Sequence, residues 1–185
     1  AHAAAVTIDD GVRFAEPIQV VHLTVPDEIG THLVQSRART TIDLGDDAHL
    51  IVIEIHGSVD GPTSSTLTHA STTIRLGERA ELAHYRLQSD APGATRIGHT
   101  DIDQGPASVL RMTSVVVGGE IPRNAIEVLL GGPDARTELM GIDVAVDQQR
   151  HDTVVSVQHA ASRCSSSQRF TGVVDDRGRG SFSGE

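Results

Sequence analysis

In the segment Thr40–Leu50, Ile42, Leu44, Ala48 and Leu50 are apolar, and the residues between them are polar, charged or glycine. That pattern predicts a pleated strand with one buried face, a tight turn at Gly45 and a second strand. Strand-like stretches also run over Ala48–His56, Glu81–Gln88, Val109–Val117, Glu138–Asp147, Asp152–His159 and Gln168–Val174. Turn signals separate them: Asp10-Gly11, Gly45-Asp46-Asp47, Asp60-Gly61-Pro62, Gly77-Glu78, Ala91-Pro92-Gly93, Gly105-Pro106, Gly118-Gly119, Gly131-Gly132-Pro133 and Asp176-Arg177-Gly178. A rhythm of about ten residues per strand predicts an all-β fold. Arg123–Leu130 can be tried as a helix, but it is short, Gly131-Gly132 closes it, and a strand fits at least as well.

The chain also repeats itself. Thr40–Leu50 aligns without a gap on Thr72–Leu82, an offset of 32 residues that matches Thr, Ile, Leu, Gly, Ala and Leu. A weaker third copy runs through Ile126, Val128, Leu130, Gly131, Ala135 and Leu139, with one extra residue in the turn. A fixed period points to a solenoid whose coils bury their apolar sides on one another, with an inward Ala where the wall bends. A sandwich with two similar hairpins is the alternative.

Composition agrees with stacked coils. There are 20 Val, 13 Ile, 12 Leu and 18 Ala, against one Tyr, three Phe and no Trp. β-branched side chains favour strands, and ladders of small aliphatic groups need no large rings. The net charge of −10 and the absence of Lys argue against nucleic acid, whose phosphates select clustered bases. No apolar run approaches the roughly 20 residues of a membrane span. One cysteine, Cys164, excludes an intrachain disulfide framework and a multi-Cys zinc finger. Residues 1–185 read as a single domain, with 1–16 a ragged lead-in.

Candidate chemistry is sparse. No His-X-His pair occurs, as a cupin-type metal site would need, and His49, His56, His69, His84 and His99 read mostly as surface polar residues. Cys164 lies near His159, but a Cys–His nucleophile would need a lowered thiol pKa and an orienting third group, which nearness in sequence does not supply. There is no Gly-X-Ser-X-Gly elbow and no His-Glu-X-X-His, and a phosphate loop is impossible without Lys. Asp101 and Asp103 share one strand face, as carboxylates do in polysaccharide-cleaving β-helices, but stacking aromatics are missing.

Several segments in order resemble one family. They are Arg39–Glu54, Gly118-Gly119-Glu120-Ile121-Pro122-Arg123-Asn124, Leu130-Gly131-Gly132, Leu139-Met140-Gly141, Gln149-Arg150-His151-Asp152, Ser166-Ser167-Gln168 and Gly172-Val173-Val174. Together with Asp176–Gly184 they resemble the SufB/SufD family of iron–sulfur cluster assembly scaffolds, and the Asp-Arg-Gly-Arg-Gly ending is more similar to SufD. The resemblance implies a right-handed parallel β-helix, here a central core without the family's flanking helical regions. It implies a cytoplasmic, non-catalytic scaffold that pairs with a SufB-like paralogue and docks a SufC-like ATPase through a C-terminal region beyond Glu185. No cofactor is expected in this fragment; a transient iron–sulfur cluster or iron is implied for the full complex. Cys164 and His159 are the metal-ligand candidates, whereas Arg123, Asp152 and Gly131-Gly132 are expected to mark coil turns. Alternatives are a β-helix polysaccharide lyase or hydrolase, or a structural homo-oligomer that dimerises through an open coil end.

Overall fold

The structure, a computed structural model, describes residues 2–25, 33–59 and 66–185. It contains thirteen strands and, among those residues, no helix. The strands are β1 (His2–Ile8), β2 (Ile18–Thr24), β3 (Val34–Leu44), β4 (His49–Ser58), β5 (Thr66–Leu76), β6 (Glu81–Asp90) and β7 (Ala94–Gln104). They continue as β8 (Val109–Gly118), β9 (Ile121–Leu130), β10 (Arg136–Ala145), β11 (Arg150–His159), β12 (Ser165–Val174) and β13 (Arg179–Gly184). Odd-numbered strands form one parallel sheet in the order β1-β3-β5-β7-β9-β11-β13, and even-numbered strands form the other. Each coil gives one strand to each sheet, so the chain is a parallel β-solenoid of about five turns. The segment Arg123–Leu130, open between helix and strand, lies in β9. Where a lead-in is expected over 1–16, His2–Ile8 pairs with β3, and Gly11 N–H donates to Asp46 O at 2.7 Å. The Asp60-Gly61-Pro62 turn lies outside the described residues.

The repeat is real at the level of register. Thr40 pairs with Thr72, Ile42 with Ile74, Leu44 with Leu76 and Leu50 with Leu82. The third copy falls in register at Ile126, Val128 and Leu130, but Thr137 rather than Leu139 continues the row of Leu50, Leu82 and Leu110, and a coil the repeat does not show, Thr100–Met112, intervenes: Thr72 pairs with Thr100 and Thr100 with Ile126. Following Thr40, Thr72, Thr100, Ile126 and Val155 through these pairings, successive coils take 32, 28, 26 and 29 residues. The period changes chiefly where even strands return to odd ones. Residues 59–65 join β4 to β5, whereas only 91–93 join β6 to β7.

The opposite edge is built from near-identical turns. Ala48 N–H donates to Gly45 O at 3.3 Å and Ala80 N–H to Gly77 O at 3.3 Å, while Ala48, Ala80 and Ala135 point inward and are fully buried. The glycine is demanded by the neighbouring turn rather than by its own torsion. A Cβ on Gly77 would stand 2.8 Å from Asp46 N, and one on Gly45 would stand 2.8 Å from Asp10 N. The left-handed residue is the last but one of each turn: Asp47 (φ 57°), Arg79 (φ 57°), Ala107 (φ 54°), Asp134 (φ 63°) and Arg163 (φ 60°). Arg79 forks onto Asp47 and Arg163 onto Asp134, so charge pairs run along this ladder of turns. Gly131-Gly132 marks a turn as expected. Arg123 and Asp152 do not: they sit within β9 and β11, paired across the sheet at 3.5 Å.

Candidate functional site

The interior changes character along the strands. Next to the glycine turns it is aliphatic: Ile42, Ile74, Ile102 and Val128 stack from one sheet and meet Leu50, Leu82 and Leu110 from the other. One departure there compensates itself. Gln104 takes the place of Leu44 and Leu76, Thr137 that of Leu82 and Leu110, and the Thr137 hydroxyl donates to Gln104 Oε1.

Farther from the glycine turns the lumen becomes polar, because the inward positions continue as Thr40, Thr72 and Thr100, two residues before the isoleucines, on one wall and as Glu54, Arg86 and Ser114, four residues after the leucines, on the other. Glu54 is completely buried. Its Oε1 accepts from Thr40 at 2.5 Å and Thr72 at 3.1 Å, and its Oε2 lies 3.1 Å from His84 Nε2. His56 Nε2 stands 3.3 Å and His22 Nε2 3.9 Å from Oε1. His22 also reaches Thr40 Oγ1 at 2.9 Å and stacks on His56 with ring centroids 5.0 Å apart. Burial pushes the Glu54 carboxyl up, but hydrogen bonds from His56 and His84 outweigh it and hold it well below the usual carboxylate range. Burial lowers His56 and His22 despite the pull of Glu54, so these two stand as neutral imidazoles beside a carboxylate. His22, His56, His84 and Glu54 form a set of three imidazoles and one carboxylate, the donor chemistry of a transition-metal centre. His56 and His22 turn Nε2 to Oε1 and His84 turns Nε2 to Oε2, so these nitrogens are directed to the carboxylate, while Nδ1 of His56 and of His84 has no hydrogen-bond partner.

Two arginines follow. Arg86 donates to Thr100 Oγ1 at 3.0 Å and Ser114 Oγ at 3.1 Å. No carboxylate lies within ion-pair distance of it among the described residues, and burial lowers its pKa. Arg96 forks onto Asp90, with Nε 2.8 Å from Oδ2 and both side chains buried. Further along, Asp143 accepts from Thr153 at 3.2 Å and is raised by burial, while the buried His151 is lowered by burial.

On the outer face of β7 and β9, His99 Nε2 lies 2.9 Å from Asp101 Oδ1 and 4.0 Å from Glu127 Oε1. Among the described residues this is the group whose ligand atoms come close enough together for a shared cation. Beside it lies an open groove of about 470 Å³ bearing Arg37, Arg39 and His69 but no aromatic ring. Asp101, one of the two acids singled out for sugar chemistry, is thus tied to His99.

The structure does not bond the expected pair to each other. Cys164 sits half-buried in the turn between β11 and β12, its Sγ 3.3 Å from Gly132 O. His159 ends β11, exposed, with Nε2 2.9 Å from Ser166 Oγ. The larger miss is the lumen: His56 and His84, expected at the surface, are buried, and so is His151. The signal was the strand period itself, since counting inward from Leu50 and Val52 reaches Glu54 and His56, and from Leu82 reaches His84 and Arg86.

A family model described as "SUF system FeS cluster assembly, SufBD core domain" matches residues 28–185. The iron–sulfur cluster assembly protein SufD of Escherichia coli (strain K12) is 25% identical over 179 residues, covering 97% of this chain and 42% of that protein. A SufBD family protein of Synechocystis sp. is 25% identical over 189 residues, 99% of this chain and 41% of its own. Another from Mycobacterium leprae is 34% identical over 70 residues, 38% of this chain and 18% of its own. The chain spans about two fifths of the length of the first two relatives.

Proposed function

This chain belongs to the SufBD core family of iron–sulfur cluster assembly proteins, and we propose that it serves there as a non-catalytic scaffold, the β-solenoid body of a SufD-like subunit. The observation that carries the reading is the family match, which runs from residue 28 to 185 and so includes every coil from β3 to β13. The role of the body is to hold surfaces at fixed spacing. Parallel coils hydrogen-bonded along both walls make a stiff rod, which suits a protein that positions partners around an assembling cluster. The buried acids support a structural use: Glu54 and Asp90 are each held by several donors and stand away from solvent.

In this reading the partners are a SufB-like paralogue and a SufC-like ATPase, and the cluster is cargo rather than a resident cofactor. No helix of the described residues is long and apolar enough to cross a membrane. The polysaccharide reading gains nothing from the groove beside His99, which offers no ring for a sugar to stack on.

The test is co-expression of the full-length parent protein with SufB-like and SufC-like proteins from the same source, followed by affinity capture. A stoichiometric complex that acquires iron and sulfide is expected. A parent that leaves both candidates in the flow-through, under conditions where those two associate, overturns the scaffold reading. Sedimentation of the isolated chain tests self-association separately.

A further inference from the structure

We propose that the lumen of the solenoid holds a single small monovalent anion, of chloride size, against Arg86, Arg96 and Gln88. The first observation is an imbalance of charge contacts. Arg86 is buried, and its Nη1 and Nη2 are satisfied only by the neutral hydroxyls of Thr100 and Ser114. The other buried arginine, Arg96, has Asp90 on its Nε and Nη2. A guanidinium removed from water with no counter-ion in contact is costly, so Arg86 lacks the partner that Arg96 has.

The second observation is a set of donors without acceptors. Arg86 Nε, Arg96 Nη1 and Gln88 Nε2 are all buried and have no hydrogen-bond partner. These residues line one small space of about 10 Å³, together with His56, Thr72, Gly98 and Asn124. That volume admits one guest the size of a water molecule or a single-atom ion. A water accepts two hydrogen bonds at most, whereas the two cationic side chains and the amide that border the space carry three unpartnered donor nitrogens. A spherical anion can accept from all three and puts a counter-charge in contact with Arg86, on which Glu54 and Asp143 act only from a distance. His56 Nδ1 also lacks a partner, but because the Nε2 of that imidazole faces Glu54 it is an acceptor and is not one of the atoms that would hold the anion.

The third observation is how the space is kept open. Ala38, Ala70 and Gly98 follow one another in register across β3, β5 and β7. A Cβ on Gly98 would stand 2.5 Å from Asn124 Oδ1. Gly98 carries no left-handed torsion, so the missing side chain is a matter of room. The proposal concerns the solenoid itself and stands whether or not the scaffold reading holds.

Bromide is the probe. Crystals of the chain grown in sodium bromide and measured at the bromine absorption edge should show one anomalous peak in contact with Arg86 Nε, Arg96 Nη1 and Gln88 Nε2. In solution, chloride and bromide should raise the melting temperature saturably over gluconate at equal ionic strength. Gly98→Ala, which fills the space without straining the backbone, should abolish that halide increment. A water without anomalous signal at the site overturns the proposal. So does a Gly98→Ala protein that keeps the full halide increment. If Gly98→Ala fails to fold, the wild-type diffraction measurement decides alone.

Discussion

The two halves of the lumen share one backbone and one register yet hold together by different rules. In the aliphatic half, Ile42, Ile74 and Ile102 are interchangeable neighbours, and each buried methyl group adds a similar amount of stability wherever it sits. In the polar half, Glu54 is tolerable only because Thr40, Thr72, His56 and His84 face it, and Arg96 only because Asp90 does. An apolar deletion therefore leaves a hole, whereas a polar deletion strands the partner. That asymmetry yields measurable differences.

Acid should separate the halves most completely, because several groups act together. Burial holds His22, His56 and His151 below the ordinary 6.5, so the unfolded chain takes up protons that the native chain refuses. Their stabilising effect is complete above pH 6.5 and is lost as pH falls through the lowered native values. Glu54, also held low, adds a further loss below its ordinary 4.5. Asp143 has the opposite sign: raised from 3.8, it favours the native state below its raised value and gives up that contribution as pH rises through it. Urea midpoints should fall steadily from about pH 7.5 to about pH 5. A flat profile would mean that these imidazoles are solvated and the polar half is open.

Next in size is Asp90→Ala, which leaves the Arg96 guanidinium buried without its fork. A loss of about 3–5 kcal/mol is expected by urea unfolding, with much of it recovered in Asp90→Ala/Arg96→Leu. A single variant within about 1 kcal/mol of the parent would show that the pair is not a tied unit. In the aliphatic half, Leu110→Ala should cost about 2–5 kcal/mol, and Ile74→Val only about 0.5–1.5, both without altering the pH dependence. The smallest effect belongs to the turns. Among the described residues Ala107 is the one apolar side chain at a left-handed turn position, and Ala107→Gly should stabilise by roughly 0.5–1 kcal/mol in the same assay.

The strands and turns were legible because their signals are local. Gly45 and Gly77, the inward Ala48 and Ala80, and the apolar parity of Ile42 and Leu44 all act within one coil and its immediate neighbour. The third coil, Thr100–Met112, was hidden because a fixed offset of 32 cannot find a coil of 28, and because Gln104 and Ser108 replace the expected Leu and Ala. The lumen cluster was hidden for a related reason. Cys164 and His159 are near in sequence but belong to different strand ends and bond elsewhere. His22, His56 and His84, 34 and 28 residues apart, converge on Glu54.

By itself the sequence determined a solenoid of short parallel strands with an aliphatic stripe. A two-residue period and a stacked glycine turn permit few other arrangements of these side chains. Only the tertiary structure decided that the other half of the same lumen is ionic. Depth inside the coil depends on how far the second wall extends opposite the first, and which residues meet there depends on coil lengths that vary from 26 to 32. A buried Glu54 reads as a surface acid until the opposing wall places Thr40 and Thr72 against it.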